Sequence, residues 1–516
     1  MNIELGTSYC FDDILMEPLL SSINSRKTIA LETNIATNNR KLILKTPLIS
    51  SPMDTVSETE MAIKMALNGG LGIIHRYMSI DDQVLQISKV KRFLQYIISE
   101  PYTIKASTTL EEIEDLRKKY NVSSFCVIDD VNNLIGILTN RDIQYMKHCK
   151  SYYDEHRQVT IIYTSEFMTK MENLITLDIN TVNTMEIFQN MENTLKIAKD
   201  LIHLHKIEKI PIVNGSILIG LITLKNICHY ENNKSKACID MNGALCVGAA
   251  IGIVDDYIVR LDKLVSAGVD LICIDVANGF NTNVFNTIVF IRTRYPLLVL
   301  MVGNVCNWQG YSALSEFDID CIRIGVGNGS ICTTRLETGI GKGQFSAVSE
   351  CFNYKIDAQN INGRQYPNII CDGGSLGKTG NKVKALACGS SAIMLGRTLA
   401  STIESPGIII HRNGKRFKYI RGMASSMANL SKQEKTGDSS NITVNSHSEG
   451  VDGEQELSGS VVDVIDQING GLKSGMSYLG CETIEQLHNK NEKKEIKYNL
   501  VTSIGMSENG IRVKTY

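Results

Sequence analysis

One cysteine in the sequence stands in a loop whose composition suits covalent chemistry on a phosphorylated substrate. The segment from Arg323 to Arg335 reads RIGVGNGSICTTR, and it begins in a short apolar run typical of a buried strand. Its three alternating glycines let the backbone bend tightly and approach a ligand, and its serine offers a hydroxyl and an amide to phosphate. Cys332 is placed to present a thiolate, the nucleophilic form of cysteine. We expect most of the other cysteines, among 14 in total, to be small buried hydrophobes.

Two aspartates end apolar runs and are followed by loops that contain glycine. Asp275 closes LICID and precedes VANG, whereas Asp372 closes NIICD and precedes GG. An aspartate at such a place can accept charge-assisted hydrogen bonds from sugar hydroxyls, or it can cap the N-terminus of the next helix. The Asp-Gly-Gly and Asp-x-Ala-Asn-Gly contexts favour ligand binding at both positions.

Repeated strand and helix units must position these residues. From Leu42 onward, short apolar runs alternate with helical patterns, and each run ends in glycine or a polar loop. Such runs are typical of buried parallel strands, and chemistry in folds of this kind lies in the loops after the strands. The sequence therefore predicts an α/β fold, a (β/α)8 TIM barrel, with a doubly wound open sheet as the alternative. The runs are PLISSPMD, LGIIHR, VDLICIDVANG, LLVLMVGNV, DCIRIGVG, PNIICDGG and SAIMLGR.

An internal repeat interrupts the barrel pattern between about residues 97 and 229. VIDDVNNLIGILTNRDI and IVNGSILIGLITLKNI align on Gly136–Thr139 and Gly220–Thr223, and each predicts two short strands, a turn and the start of a helix. The segment resembles a tandem pair of cystathionine-beta-synthase (CBS) motifs, a module that binds adenine or guanine nucleotides. An insertion that binds nothing is the alternative, because a fold alone does not bring function. We therefore expect a barrel in two parts, 1–96 and 230–516, around a CBS domain at 97–229.

A polar stretch from Ser425 to Gly459 is long for a barrel connection and is rich in Ser, Asn, Glu and Gly. Long irregular loops are usually either functional lids or disordered surface. Because this stretch lies among the motifs predicted to bind a ligand, we interpret residues 425–459 as a flap over the site.

Composition and charge exclude several classes of protein. Hydrophobic residues make up 43% of the 516 and charged residues 21%, which is enough apolar material for a sizeable core. The net charge of −2 gives no overall electrostatic reason to bind nucleic acid or an anionic membrane. The N-terminus lacks the regions of a signal peptide, no apolar run is long enough to span a membrane, and no CxxC pair occurs. We expect a cytoplasmic protein with reduced thiols.

The motifs together resemble the family that holds inosine monophosphate dehydrogenase and guanosine monophosphate reductase. The cysteine loop is similar to the catalytic signature of that family, and Ser50–Ala62 and Gly69–Arg76 are similar to its first two strands and their loops. Cys371–Gly396 resembles its phosphate-binding region, and RGMASSMA, SEGVDG and GGLKSGMSYLGCETIEQL resemble its C-terminal part. The resemblance covers nearly the whole chain, and the CBS pair lies at the insertion point known from this family.

The resemblance implies a covalent mechanism. Cys332 would attack C2 of a purine, and Thr334 and Glu449 would form an acid/base relay near that carbon. Asp372 would hold the ribose hydroxyls of the substrate. The residues implied in substrate binding are Ser51, Met53, Asn304, Ser330, Asp372, Gly373, Gly374, Gly396, Gly422 and Met423.

The resemblance also implies a cofactor, a cation and an assembly. Asp275, Asn278 and Gly279 would bind a nicotinamide dinucleotide, with Asp275 on its ribose. A potassium ion would take oxygen ligands, as hard cations do, from the carbonyls of Gly327, Gly329 and Cys332 and from Glu508 of a neighbouring subunit. The implied assembly is a homotetramer of barrels, with octamers formed through the CBS modules, and purine nucleotides are the implied ligands of the CBS pair.

The two branches of the family use the covalent intermediate differently. The dehydrogenase transfers hydride from IMP to NAD and then hydrolyses the intermediate to XMP with an Arg-Tyr pair of the flap, whereas the reductase converts GMP to IMP and ammonia with NADPH. Lys435 and Thr436 stand where the Arg-Tyr pair is expected, and IDVANG at Ile274–Gly279 resembles the reductase. SSPMDTV, the long flap and the CBS pair resemble the dehydrogenase. The sequence reading favours an NADPH-dependent GMP reductase, with an NAD-dependent IMP dehydrogenase as the alternative and an inactive nucleotide-binding regulator as the second alternative.

Overall fold

The computed structural model describes residues 6–94, 97–98, 101–156, 163–178, 191–254, 256–374, 376–436, 448–502 and 504–505. The chain divides into two compact units. The first unit comprises Met1–Phe93 and Lys234–Tyr516, and the second comprises Leu94–Asn233.

A closed barrel of eight parallel strands forms the centre of the first unit. This confirms the predicted (β/α)8 TIM barrel and excludes the open sheet, because the last strand pairs with the first through Ile393 and Leu48. Nearly every strand residue is buried, as expected where one strand face lines the barrel interior and the other contacts helices. The strands are β1 (Leu48–Ser50), β2 (Leu71–Ile74), β3 (Val247–Ile251), β4 (Leu271–Asp275), β5 (Val299–Val305), β6 (Cys321–Ile324), β7 (Asn368–Asp372) and β8 (Ala392–Leu395).

Eight helices follow these strands along the chain. Polar side chains mark where several of them begin: the side chain of Asn281 accepts a hydrogen bond from the Asn283 amide, and that of Ser460 accepts one from the Val462 amide. Among the helices in the described residues, none is long and apolar enough to cross a membrane. The eight helices are α1 (Thr59–Leu67), α2 (Ile80–Leu94), α3 (Tyr257–Ser266), α4 (Thr282–Arg294), α5 (Trp308–Ser315), α6 (Gln344–Asn362), α7 (Thr379–Ala387) and α8 (Val461–Tyr478).

A hairpin of Thr33–Asn34 and Ile43–Leu44 closes the amino-terminal end of the barrel. Leu44 belongs to the same buried cluster as the inward-facing strand residues. Arg40 in the hairpin turn contacts Asp318 at 2.6 Å and Asp320 at 2.8 Å, just before β6 begins. Because this end is filled, the carboxyl ends of the strands are the end that remains for a ligand.

Shorter elements complete the first unit. Ile14–Met16 pairs with Tyr498–Leu500, and Lys415–Arg421 is the middle strand of a sheet with Ile409–Arg412 and Asp452–Glu456. The stretch read as an irregular flap therefore contains the strand Asp452–Glu456 and the helix Ser426–Thr436. The strand could not be recognised in the sequence DGEQE, because an exposed edge strand does not require alternating apolar and polar residues. The other helices are Phe11–Asp13, Arg26–Thr28, Thr334–Thr338, Arg397–Ala400 and Ile484–Glu492.

The second unit consists of two four-stranded sheets, each built around one copy of the sequence repeat. In each copy an antiparallel pair of strands leads into a helix, and the two hairpin turns meet where the Leu134 amide donates to the Ser216 carbonyl at 2.8 Å. The assignment of these copies as CBS motifs stays a prediction. The strands are Ile97–Ile98, Thr103–Ile104, Phe125–Ile128, Leu134–Leu138, Thr169–Lys170, Leu177–Asp178, Lys209–Asn214 and Ile217–Thr223, and the helices are Leu110–Tyr120, Asn140–His156, Thr164–Glu166, Met171–Asn173, Met191–His205 and Leu224–Asn233.

His488 makes the stability of the first unit depend on pH. Its Nε2 lies 3.0 Å from the Ser390 carbonyl, and burial together with the nearby charge of Lys355 lowers the pKa of His488 from 6.5 to about 4. Between these pH values the unfolded chain binds the proton and the folded chain does not. The folded state is therefore favoured fully above pH 6.5 and loses that advantage as the pH falls to 4.

We expect His488→Gln to flatten this dependence, because glutamine keeps a donor for the carbonyl and does not titrate. The free energy of unfolding of the wild type should fall by up to about 3 kcal/mol more than that of the variant between pH 6.5 and pH 4. Urea unfolding at several pH values measures the difference, with the exposed His203 changed to glutamine as the control. Parallel curves for the wild type and His488→Gln would contradict the assignment.

Candidate active site

Cys332, in the loop after β6, begins a short hydrogen-bonded relay. Its Sγ lies 3.1 Å from Thr334 Oγ1, and the Thr334 hydroxyl donates to Glu449 Oε2 at 2.7 Å. Since the hydroxyl proton is directed to the carboxylate, the hydroxyl oxygen is left to accept from the thiol. The structure thus brings the three predicted catalytic residues together, in an arrangement suited to proton transfer next to the sulfur.

Backbone pairing holds the relay in place. Cys332 and Gly450 form an antiparallel bridge, the Thr333 amide donates to the Glu449 carbonyl at 2.9 Å, and the Val451 amide donates to Ile331 at 3.0 Å. The end of the predicted flap therefore runs alongside the cysteine loop. Residues 437–447 of the flap lie outside the described residues.

A buried arginine that the sequence reading passed over joins the two predicted aspartates. Arg323 Nη1 donates to Asp275 Oδ1 at 2.6 Å, and Nη2 donates to Asp372 Oδ2 at 2.8 Å. Burial alone would lower the pKa of Arg323, but the Cys273 thiol and the two carboxylates outweigh burial and hold that pKa well above its ordinary value. A signal was present in the sequence, because an arginine inside the apolar strand CIRI has to be paired in order to be buried.

Asn304 extends this charged network. Its Nδ2 donates to Asp372 Oδ2 at 2.9 Å and to the Gly325 carbonyl at 2.7 Å, whereas its Oδ1 is buried and accepts no hydrogen bond from the described residues. Each aspartate uses only one carboxylate oxygen in these contacts with Arg323 and Asn304. The Asp275 side chain is 22% exposed and the Asp372 side chain 18%. In the described part of the chain, the site therefore offers one buried oxygen without a hydrogen-bond donor and two carboxylates that each have an oxygen left over. These acceptors suit ligands that carry hydroxyl and amide donors, as a ribose and a nicotinamide do.

Two glycines allow the loops after β6 and β7 to touch. A Cβ on Gly325 would lie 2.1 Å from the Asp372 carbonyl oxygen, and one on Gly373, at φ +80°, would lie 2.7 Å from Asn328 Oδ1. Asn328 also joins the loops through hydrogen bonds, since its Nδ2 donates to the Asp372 carbonyl and its own carbonyl accepts from the Gly374 amide. Larger side chains at Gly325 or Gly373 would separate the two loops.

A second wall of the site is formed by the loop after β1. A Cβ on Gly396 would lie 3.3 Å from Met53 Sδ and 3.5 Å from Ser51 Oγ, so these three predicted residues are neighbours. Met423 lies against the same loop, because its Sδ accepts a hydrogen bond from the Asp54 amide at 3.4 Å. The adjacent Gly422 amide donates to the Val451 carbonyl, next to the relay.

The remaining predicted residues are less central. Ser330 is exposed, and Asn278 is exposed and uses its Oδ1 to accept from the Phe280 amide within its own loop. Gly279 is buried, and its amide donates to the Asn304 carbonyl at 2.7 Å. Of the predicted potassium ligands, Gly327, Gly329 and Cys332 lie in the cysteine loop, and Glu508 lies outside the described residues. The potassium site stays a prediction.

The fold and the site define a class of protein: (β/α)8-barrel proteins with a cysteine-centred site at the carboxyl ends of the strands. The family model described as "IMP dehydrogenase / GMP reductase domain" matches residues 8–511. The chain belongs to this family, whose members are oxidoreductases.

Individual relatives match over nearly the whole chain. The chain is 35% identical over 496 residues to the inosine-5'-monophosphate dehydrogenase of Nitrosopumilus maritimus, covering 95% of this chain and 96% of the relative. It is 38% identical over 483 residues to the Aquifex aeolicus enzyme of the same name, covering 93% and 91%. A solved cysteine-to-alanine variant of Trypanosoma brucei GMP reductase in complex with guanosine 5'-monophosphate superposes with a TM-score of 0.83 at 31% identity, covering 99% of each chain.

Proposed function

We propose that the chain is an IMP dehydrogenase that oxidises IMP to XMP with NAD. The observation that carries the proposal is the set of curated relatives, which are named inosine-5'-monophosphate dehydrogenase at 35% to 38% identity over more than nine-tenths of the chain. The relay at Cys332 supports it, since a nucleophile with an adjoining proton acceptor is what oxidation through a covalent intermediate requires.

The prediction from the sequence that the chain is a GMP reductase is wrong, because the curated relatives are named inosine-5'-monophosphate dehydrogenase. That prediction rested on IDVANG and on Lys435 and Thr436. Within IDVANG, Asn278 accepts a hydrogen bond from the Phe280 amide of its own loop. The residue that contacts Arg323 is Asp275, which both branches of the family share, so it does not distinguish them. The side chains of Lys435 and Thr436 are not among those that the structure describes. A barrel shared with a GMP reductase structure fits either name, because a fold alone does not select a reaction.

The proposed mechanism assigns a role to each part of the relay. The Cys332 sulfur adds to C2 of IMP while its proton moves to Thr334 Oγ1 and the Thr334 proton moves to Glu449. NAD, held at Asp275, would supply the acceptor for the hydride of C2. Glu449 then releases its proton to solvent. Water adds to C2 and gives up a proton through Thr334 to Glu449, and the Cys332 sulfur leaves C2 as a thiolate. That proton returns through Thr334 to the sulfur, so each turnover restores the thiol and releases one proton.

The binding roles in this proposal are those that the family resemblance implies. Asp372 would accept hydrogen bonds from the ribose hydroxyls of IMP, and Asp275 would accept them from the ribose of NAD. The loops that carry Ser330, Gly373, Gly374 and Gly396 would surround the phosphate. Potassium at the cysteine loop, purine nucleotides at the second unit, a tetrameric or octameric assembly and a cytoplasmic location complete the proposal.

The absorbance at 340 nm tests the reaction in potassium buffer. A rise with IMP and NAD, accompanied by XMP formation and absent with GMP and NADPH, is the expected result. A fall with GMP and NADPH and no rise with IMP and NAD would overturn the proposal. Stabilisation by purine nucleotides with no turnover in either assay would instead favour an inactive binding protein.

Thr334→Val is expected to reduce turnover by about 10²-fold to 10³-fold, because it removes the hydroxyl that passes the proton. Valine has nearly the same shape, so the affinity for IMP should change little. The matched control is Thr338→Val on the same short helix, whose hydroxyl donates to the Thr334 carbonyl and not to the relay. If Thr334→Val turned over IMP as fast as Thr338→Val and the wild type, protons would not pass through Thr334.

A further inference from the structure

A buried ion pair joins the two segments that carry Met53 and Met423, two methionines that the family resemblance implies in substrate binding. Arg421 ends the strand Lys415–Arg421, and its Nε donates to Asp54 Oδ2 at 2.7 Å. Its Nη2 contacts the same oxygen. The side chains are 13% and 2% exposed. Burial lowers the pKa of Arg421, but the hydrogen bond and charge of Asp54 more than offset it, and the guanidinium stays charged.

The same arginine contacts two separate parts of the chain, the loop after β1 and the helix Ser426–Thr436. Besides Asp54, its backbone amide donates to Thr55 Oγ1 at 3.4 Å, and its Nη1 donates to the Met427 carbonyl at 3.3 Å in the helix Ser426–Thr436. The Asp54 amide in turn donates to Met423 Sδ. Arg421 therefore ties the loop after β1 to the chain on both sides of Met423.

The two methionines adjoin this pair. Met53 directly precedes Asp54, and Met423 follows Arg421 by two residues. Thioethers are polarisable groups that contact aromatic rings favourably. A Cβ on Gly422 would lie 3.2 Å from the Ile331 carbonyl, so this segment also touches the cysteine loop. The ion pair thus joins the segments that carry the two thioethers, and one of these segments adjoins the cysteine loop.

The pair depends on a single carboxylate oxygen. Nε and Nη2 of Arg421 both donate to Asp54 Oδ2, while Asp54 Oδ1 is buried and accepts no hydrogen bond from the described residues. Loss of the guanidinium would leave the buried carboxylate without its cation, and the loop that carries Met53 would have to move to let water reach it.

We propose that Arg421 is a positioning residue for the purine ring, acting through Asp54. The pair holds Met53 and Met423 as two sides of the slot that receives the base, and so places C2 against Cys332. The proposal rests on the proposed function, namely that the substrate is a purine nucleotide and that Met53 and Met423 take part in binding it. It predicts that loss of the ion pair weakens the binding of the purine base and leaves the binding of the ribose and phosphate unchanged.

Calorimetric titration of Arg421→Gln with IMP and with ribose 5-phosphate, in the absence of cofactor, separates these effects. We expect the dissociation constant of IMP to rise about tenfold or more, and that of ribose 5-phosphate, which lacks the base, to stay within about twofold. The matched control is Arg412→Gln on the same three-stranded sheet, where the arginine is exposed and contacts Glu454 at 3.2 Å. The control should bind both ligands as the wild type does.

Further variants protect the test against misfolding. Asp54→Asn should show the same base-selective loss, and the double variant should be little worse than either single one, because both changes remove one interaction. Arg421→Lys should restore part of the affinity for IMP, since it keeps the charge without the planar fork. If Arg421→Gln unfolds, as a thermal melt would reveal, these variants decide the question.

Several results would overturn the proposal. They are unchanged binding of IMP, an equal loss for IMP and ribose 5-phosphate, and additive effects of the two substitutions. If the wild type binds GMP and fails to oxidise IMP, the proposed function falls while the same comparison, made with GMP, still decides the role of Arg421. If the wild type binds no purine nucleotide, both proposals fall.

Discussion

Replacing Cys332 by alanine is expected to reduce the formation of NADH from IMP by about 10⁴-fold or more, because it removes the sulfur that is proposed to form the bond to C2. The affinity for IMP should change little, since the thiol contributes little of the contact surface. Absorbance at 340 nm gives the rate, and calorimetry with IMP alone gives the affinity. Turnover within about tenfold of the wild type would exclude a covalent route through Cys332.

Cys306→Ala is the matched control. Cys306 lies in the loop after β5 and lines a cavity of about 690 Å³, and burial raises the pKa of its thiol. The Cys306 thiol therefore loses its proton less readily than an ordinary cysteine, and its replacement by alanine should leave turnover nearly unchanged. Cysteines in the strands should be inert as well, since burial raises the pKa of Cys273 and of Cys371 to about 12.

Selective alkylation supplies a readout that does not depend on turnover. With substoichiometric iodoacetamide, mass spectrometry should find Cys332 among the first residues modified, because it is partly exposed and the relay offers its proton a route. IMP should protect Cys332 while leaving the exposed Cys10 and Cys228 reactive. Protection of all three residues alike would indicate a general loss of reactivity and no ligand at the site.

The barrel could be predicted from the sequence because its strands leave strong local signals. Seven of the eight strands coincide with the apolar runs quoted from the sequence, each ending in glycine or a polar residue, and burial on both faces enforces that pattern. Strand β3 (Val247–Ile251) was not among those runs. The proximity of Cys332 and Thr334 was equally local. Glu449 was different, since 115 residues separate it from Thr334 and only the family resemblance connected them.

Arg323 shows why part of the site escaped prediction. It was read as the first letter of a loop motif, whereas its structural role depends on Asp275 and Asp372, which lie 48 and 49 residues away along the chain. Asp372 ends the adjacent strand β7, and Asp275 ends β4, which β5 separates from the strand of Arg323. Periodicity gives the strands but does not say which charged side chains meet inside the barrel. The choice between the two reactions failed for a related reason, because it weighed loop residues by identity without knowing which contacts each of them makes.

Arg323→Gln is the second substitution from which we expect a large effect. It would leave the carboxylates of Asp275 and Asp372 in the barrel mouth without the cation that separates them. Removing one partner of a buried ion pair costs about 3 to 5 kcal/mol, so the free energy of unfolding should fall by that order. Because each aspartate is proposed to hold one ribose, IMP and NAD should both bind more weakly, and turnover should fall by about 10³-fold.

Separate measurements distinguish loss of stability from loss of binding. Urea unfolding gives the first, and calorimetry with IMP and with NAD, each at a temperature where the variant remains folded, gives the second. Arg323→Lys should lie between the variant and the wild type for both ligands, because an ammonium is a point charge that cannot donate to both carboxylates in the geometry of a guanidinium. A loss confined to one ligand would mean that Arg323 serves one ribose only.

A compensating substitution tests the electrostatic argument directly. Arg323→Gln combined with Asp275→Asn removes one of the two uncompensated charges, so it should recover part of the lost stability relative to Arg323→Gln alone. Affinity for IMP should recover with it, since Asp372 then faces a neutral amide, whereas affinity for NAD should stay low because the proposed ribose acceptor is gone. Recovery of both affinities would show that Asp275 does not bind the dinucleotide, and recovery of neither would show that Arg323 acts by geometry and not by charge.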